Sequence, residues 1–176
     1  MTDHHLRYPI GKPQIPAEIT PSQITTWLAD FKQFPKDFRQ AAEAVEVAGK
    51  LDTPYRPGGW TGRQVIHHVP DSHLNAYARF KIALTEDHPT VRPYDEVEWA
   101  RLPDYEYGIH VSLDLLDLLH ERLSWVLEKL SSEQWQRTYF HPGNNADATI
   151  AKTIGHYAWH GRHHLGHLKL LLSDAS

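Results

Sequence analysis

Residues 112–130 read SLDLLDLLHERLSWVLEKL, and the spacing of the leucines in that run decides the fold class. Leu113, Leu116, Leu119, Leu123, Leu127 and Leu130 recur every three or four residues, the period of one helix face, and not every second residue as a half-buried strand requires. Lys129, near the end, puts a cation where the helix dipole favours one. A helix with one apolar stripe needs partners to cover it, so the flanking segments are read for the same period.

Working outward, residues 131–146 hold a short helical turn and a hairpin-like loop at HPGNNAD, and Asp147 is placed to cap a last helix running to about Leu172. On the other side, residues 88–109 carry three prolines, five acidic residues and several aromatics without a helical period. That is a long connection crossing between helices, and loops of this length are often functional. Before it, Thr61 and Gln64 have the form of a capping box opening a second helix, from about Gly62 to Glu86. LDTPYRPGGW, residues 51–60, is turn chemistry. Thr20, Pro21 and Gln23 open a first helix expected to reach about Val47, with Gly49 marking its end and Pro35 kinking or splitting it. Residues 1–19, with Pro9, Gly11, Pro13 and Pro16, are expected to form an extended arm over the surface. Four long amphipathic segments without a convincing strand predict an all-α fold. We expect one domain over residues 1–176, a four-helix bundle with at least one long crossover, whose metal sites lie between facing helices.

Composition narrows the function. The 176 residues fit one domain of ordinary size, and a net charge of −4 gives no basic footprint for nucleic acid. No apolar run approaches the roughly 20 residues that span a bilayer, and the start lacks the apolar centre of a signal peptide, so a cytoplasmic protein is expected. The chain has no cysteine, which excludes disulfides, thiolate ligands and a thiol nucleophile of its own. It has 14 histidines, four of them in WHGRHHLGH at residues 159–167.

Helical phase sorts those histidines. With Ile150 at zero, Ile154, Gly161, Leu165, Leu168 and Leu172 centre the buried face of the last helix near ~20°, while His164, His160, His167, His156 and His163 fall at about 320, 280, 260, 240 and 220°. Two imidazoles of one helix converge on an ion only at i, i+3 or i, i+4 spacing. His160 with His164 lies nearest the buried face, His164 with His167 nearly as near, and His156 and His163 point to solvent. In GWTGRQVIHHVPDSHLN of the second helix, with Val65 at zero, His68 borders the core at about 300°, His67 faces out at about 200° and His73 lies deeper in the apolar stripe at about 80°. Ser72, Asn75 and Arg79 form a polar strip beside His68. Pro70 removes an N–H that would have bonded Ile66, so a bend next to His68 is expected. Phase leaves both His68 and His73 as partners for the last helix.

The pattern GWTxRQVxHHxxDSHxNxYxRFKxxLTE at residues 59–86, RPYDE at 92–96 and YxWHGRHHxxH at 157–167 resembles the YfiT-like branch of the DinB superfamily, from about Tyr8 to His167. The resemblance implies a four-helix bundle, generally dimeric, holding one divalent ion by three histidines. Its members are described as metal-dependent hydrolases and, in some relatives, as thiol S-transferases. It places the ligands on His68, His160 and His164. Where the family commonly has alanine before its Asp-Ser, this chain has Pro70.

Three neutral ligands leave a divalent ion with its full charge and a free position, the composition of a catalytic zinc site, and nickel accepts the same donors. The expectation is a metal-dependent hydrolase of a small molecule. The alternatives are a transferase using a bacillithiol-type thiol, supplied by the cosubstrate, and a non-enzymatic module stapled by metal. Asn75, Arg79 and Asp71 are candidates to assist. Arg92, Tyr94 and Trp99 close over the metal, bind an anionic substrate or simply pack. HExxH is absent, which disfavours peptidase chemistry.

Overall fold

The computed structural model describes residues 3–173. A short helix α1 (Asp3–Arg7) precedes α2 (Pro21–Val47) and α3 (Gly62–Thr85), and the long connection then carries α4 (Glu96–Trp99) and a 3₁₀ turn (Pro103–Glu106). After α5 (Ile109–Leu127) come α6 (Ser132–Trp135), the strands β1 (Thr138–His141) and β2 (Ala146–Thr149), and α7 (Ile150–Ser173). Thr20 and Thr61 each close a capping box, with Gln23 and Gln64, as their spacing predicts.

The boundaries differ from expectation in four places. The arm is not wholly extended, because residues 3–7 close a helical turn. Pro35 does not split α2, which remains one element. The region 138–149 forms a true antiparallel hairpin, with Tyr139 opposite Ala148. Asp147 therefore belongs to a strand and meets His88 Nε2 at 2.9 Å, and the cap of α7 is Thr149, whose hydroxyl accepts from the Lys152 N–H at 3.0 Å.

The crossover has a geometric cause. His67 meets Ser112 and His73 meets His120, so α3 and α5 are neighbours running in the same direction. Neighbouring parallel helices cannot be joined by a tight turn, and residues 86–108 must travel back along the bundle. Contacts of Arg39 with Asp114 and Lys32 with Glu128 make α2 antiparallel to α5. Those of His68 with His160 and Arg79 with Tyr157 make α7 antiparallel to α3. The helices thus surround the core in the order α2, α5, α3, α7.

Two apolar clusters fill that core. One holds Phe34, Phe38, Val45, Val65, Ile66, Val69, Leu113, Leu116, Leu165 and Leu168, the other Phe31, Phe80, Leu123, Leu127, Ile150, Ile154 and Tyr157. On α3, α5 and α7 the residues lying in sequence between the clusters include His73, His120, His160 and His164. A layer of imidazoles cuts across the apolar interior.

Close approach of α2 to α7 depends on Gly161, where an added Cβ would stand 2.9 Å from the Phe34 ring. Gly161→Ala is expected to destabilise the protein by about 1–3 kcal/mol, because the ring is buried and cannot retreat without strain. Urea unfolding of the two proteins measures it, and an unchanged midpoint would show that the interface yields freely.

Candidate metal centre

His68 comes from α3, and His160 and His164, one turn apart, come from α7. One ring nitrogen from each lies within 4.8 Å of the others. His68 Nε2 and His160 Nε2 are 3.4 Å apart. Two nitrogens bonded to a tetrahedral zinc at roughly 2.05 Å would stand about 3.3–3.4 Å from each other, so this pair has the spacing that such an ion requires. Among the described residues, no carboxylate joins the cluster. Burial pushes His68 down to about 4, helped by repulsion from His163, and holds His160 and His164 well below the ordinary imidazole range. The three rings are neutral at pH 7, with lone pairs available to a metal.

Hydrogen bonds lead away from two of the three. His160 Nδ1 faces His73 Nε2 at 3.3 Å, His73 Nδ1 faces His120 Nε2 at 2.7 Å, and His120 Nδ1 meets the Phe31 carbonyl at 2.7 Å. His164 Nδ1 faces His167 Nδ1 at 3.3 Å, and His167 Nε2 meets the Arg7 carbonyl at 3.3 Å. His73, the competitor that phase does not dismiss, therefore bonds to His160 and stands outside the triad. His167 is buried at 2% exposure, against His164.

Two histidines expected in solvent are covered. His67 is buried beneath the long connection, with Nε2 donating to the Tyr107 carbonyl at 3.2 Å and Nδ1 meeting the Ser112 hydroxyl at 2.7 Å. His163 is buried between Trp159, stacked at 4.6 Å, and Tyr8 of the arm. A helical wheel knows the bundle but not the arms that wrap it. His156 is exposed, as phase predicts.

The triad opens into a cavity of about 500 Å³ whose wall includes Tyr8, Tyr55, Arg56, Trp60 and Trp159. Arg7 of α1 lies there too, and the long connection contributes Glu96 and Val97. None of Asp71, Asn75 and Arg79 lines it. The Tyr105 hydroxyl donates to Asp71 at 2.8 Å, Asn75 bonds the Asp71 carbonyl and Arg79 donates to the Tyr157 hydroxyl. Tyr94 and Trp99 pack on each other at 4.6 Å and Arg92 is exposed, and none of these three lines the cavity, which Glu96 and Val97 of the same stretch do. Sequence reasoning missed Tyr8, Tyr55, Arg56 and Trp60. The aromatic and basic residues crowded into the turn at 51–60 were the signal. A larger groove between α2 and α5 is bridged by the Lys32–Glu128 and Arg39–Asp117 pairs, and no histidine cluster opens into it.

The sequence profile of the DinB superfamily matches residues 30–168, which contain all three histidines of the triad. The chain belongs to the DinB superfamily. Within it, a Bacillus cereus relative named "Putative metal-dependent hydrolase" is 47% identical over 166 residues, covering 94% of this chain and 95% of its own. A Bacillus anthracis protein of the same name is 46% identical over the same shares. Among solved structures, YfiT from Bacillus subtilis superposes with a TM-score of 0.92 at 41% identity, covering 97% of each chain. It is described as "a probable metal-dependent hydrolase with an unusual four-helix bundle topology". The parallel pairing of α3 with α5 gives this DinB bundle its long crossover. Among the described residues, no helix is long and apolar enough to cross a membrane.

Proposed function

We propose that this chain is a metal-dependent hydrolase of small molecules, with His68, His160 and His164 holding one divalent ion, zinc in the first instance and nickel by the same donors. The observation that carries the reading is the convergence of three neutral imidazoles, from two antiparallel helices, on the floor of an open cavity. Bound there, a divalent ion would retain its full charge and acidify a water or a thiol presented to it. The chain supplies the rest. Arg7 and Arg56 offer positive charge at the cavity wall, Tyr55, Trp60 and Trp159 offer flat apolar surface, and the buried rings of His68 and His164 keep the floor out of bulk solvent.

A second reading is transfer of a bacillithiol-type thiol to an electrophile, for which the cavity of about 500 Å³ gives room; as the chain has no cysteine, the thiol would come from the cosubstrate. One experiment separates the two. The cobalt-substituted protein is titrated with a low-molecular-weight thiol, and the zinc protein is assayed against a panel of esters and amides. Hydrolysis that needs the metal, with a cobalt spectrum unchanged at millimolar thiol, supports the first reading. A sulfur-to-cobalt charge-transfer band without hydrolysis reverses the ranking. Neither result, in a protein that binds metal and needs it to fold, leaves a stapled binding module.

A further inference from the structure

Two prolines stand inside helices of this bundle, and one of them has a partner in the histidine layer. Pro35 has no N–H, so the carbonyl of Phe31, four residues earlier in α2, loses its helical donor. That carbonyl accepts from His120 Nδ1 at 2.7 Å. A carbonyl carries no proton, so His120 must donate from Nδ1, and its Nε2, neutral in this buried ring, is left as an acceptor. His73 Nδ1 therefore donates to it, His73 Nε2 becomes an acceptor, and His160 Nδ1 must donate in turn. The lone pair of His160 is left on Nε2, the atom 3.4 Å from His68 Nε2. The chain of bonds touches all four long helices: α7, α3, α5 and α2.

The same logic repeats for His164 from a different anchor. The Arg7 carbonyl, at the end of α1, accepts from His167 Nε2, so His167 Nδ1 accepts from His164 Nδ1 and the His164 lone pair lies on Nε2. His68 has no such support, since its Nδ1 is buried without a hydrogen-bond partner among the described residues. The geometry points to two imidazole relays, ending on the Phe31 and Arg7 carbonyls, that fix the tautomers of His160 and His164 so that both present an Nε2 lone pair to the cavity. His73, His120 and His167 are thereby positioning residues, and Pro35 and the arm act through them. Histidines that bind metals are commonly oriented by a carboxylate or carbonyl directly. Here neutral imidazoles stand between, so no negative charge is passed to the site.

The consequence for metal affinity rests on the proposed function, whereas the tautomers do not. Nitrogen-15 NMR of the metal-free, histidine-labelled protein reads them directly. In wild type, His160 and His164 are expected as Nδ1–H, the form less favoured by free histidine. In His120→Phe, which keeps a ring against Phe31, His160 is expected to become a mixture while His164 stays Nδ1–H. His167→Phe is expected to do the reverse. Zinc affinity, measured by competition with a chromophoric chelator, is expected to fall about 10–100-fold in each variant.

Retention of Nδ1–H at His160 in His120→Phe overturns the proposal, and so does a joint change at His160 and His164, which would report general loosening. Pro35→Ala tests the same anchor without touching a histidine, by giving the Phe31 carbonyl a competing donor, and serves if His120→Phe fails to fold. His160 is again expected to lose its single tautomer. Wild-type tautomers as stated, without any metal binding, would remove the proposed function and leave the relays standing. Shifted tautomers with unchanged zinc affinity would overturn their role at the metal.

Discussion

Alanine at His68, His160 or His164 is expected to lower bound metal from about one ion per chain to near zero after dialysis, while His67→Ala is expected to keep it. Two remaining imidazoles leave an ion short of its protein ligands, and a site whose three donors converge within 4.8 Å has no spare nitrogen to substitute. His73 cannot move in, because both of its nitrogens are held, one by His120 and one by His160. His67 lies beneath the long connection, bonded to Tyr107 and Ser112, and its loss costs local packing alone. Elemental analysis of wild type and these variants, with His73→Ala beside them, decides the matter. Metal retained in His68→Ala and lost in His73→Ala would hand the ligand role to the deeper histidine. Metal lost from His67→Ala would show that the connection holds the site together.

Much of the fold is legible because helices advertise themselves. The leucines of α5, the capping boxes at Thr61 and Thr20, and the two-sided periodicity of α3 and α7 are local signals, each within reach of a few residues. The hairpin at 138–149 is harder. Its strands are four residues each, and what orders them includes a bond from the Val91 N–H to the Phe140 carbonyl that no local pattern reports. Asp147 resembles a cap because short polar residues before an apolar run usually are caps. Pairing with Phe140 across the hairpin places it in a strand instead, and its carboxylate meets His88.

At the site, phase gives the direction of each imidazole relative to its own helix, and the structure adds what covers that helix. His163 and His67 point away from the bundle axis and are buried all the same, one by Tyr8 and Trp159, the other by the segment before α5. His73 is ambiguous in sequence because a histidine in an apolar stripe has the same phase whether it binds a metal or a neighbouring ring. Pro35 reads only as a breaker. Its service to His120 depends on a residue 85 positions away, which the distance along the chain conceals.

Acid should unfold the metal-free protein far sooner than its carboxylates alone would dictate. Burial holds His68 and His163 at about 4 and His120 and His167 at about 3, against an ordinary value of 6.5. Below pH 6.5 the unfolded chain takes up protons that the folded chain refuses, so their stabilising contribution is full above 6.5 and is lost as the pH falls toward 4. Each such histidine lowers the unfolding free energy by about 1.4 kcal/mol per pH unit inside that window. His68 and His120 alone remove on the order of 2 kcal/mol between pH 6 and 5, a sizeable part of the roughly 5–15 kcal/mol that an ordinary domain possesses. Urea unfolding in chelator at about pH 8, 7, 6 and 5 is expected to show a level midpoint above roughly pH 7 and a steep decline below it. His120→Phe removes one refused proton, so its decline should be shallower by about 1.4 kcal/mol per unit. Bound zinc should deepen the acid loss further, since each proton taken by a ligand competes with the ion. A midpoint that stays constant over that whole range would mean that these imidazoles take up protons in the folded protein as readily as in the unfolded chain, and with that the hold of burial on their titration would be lost.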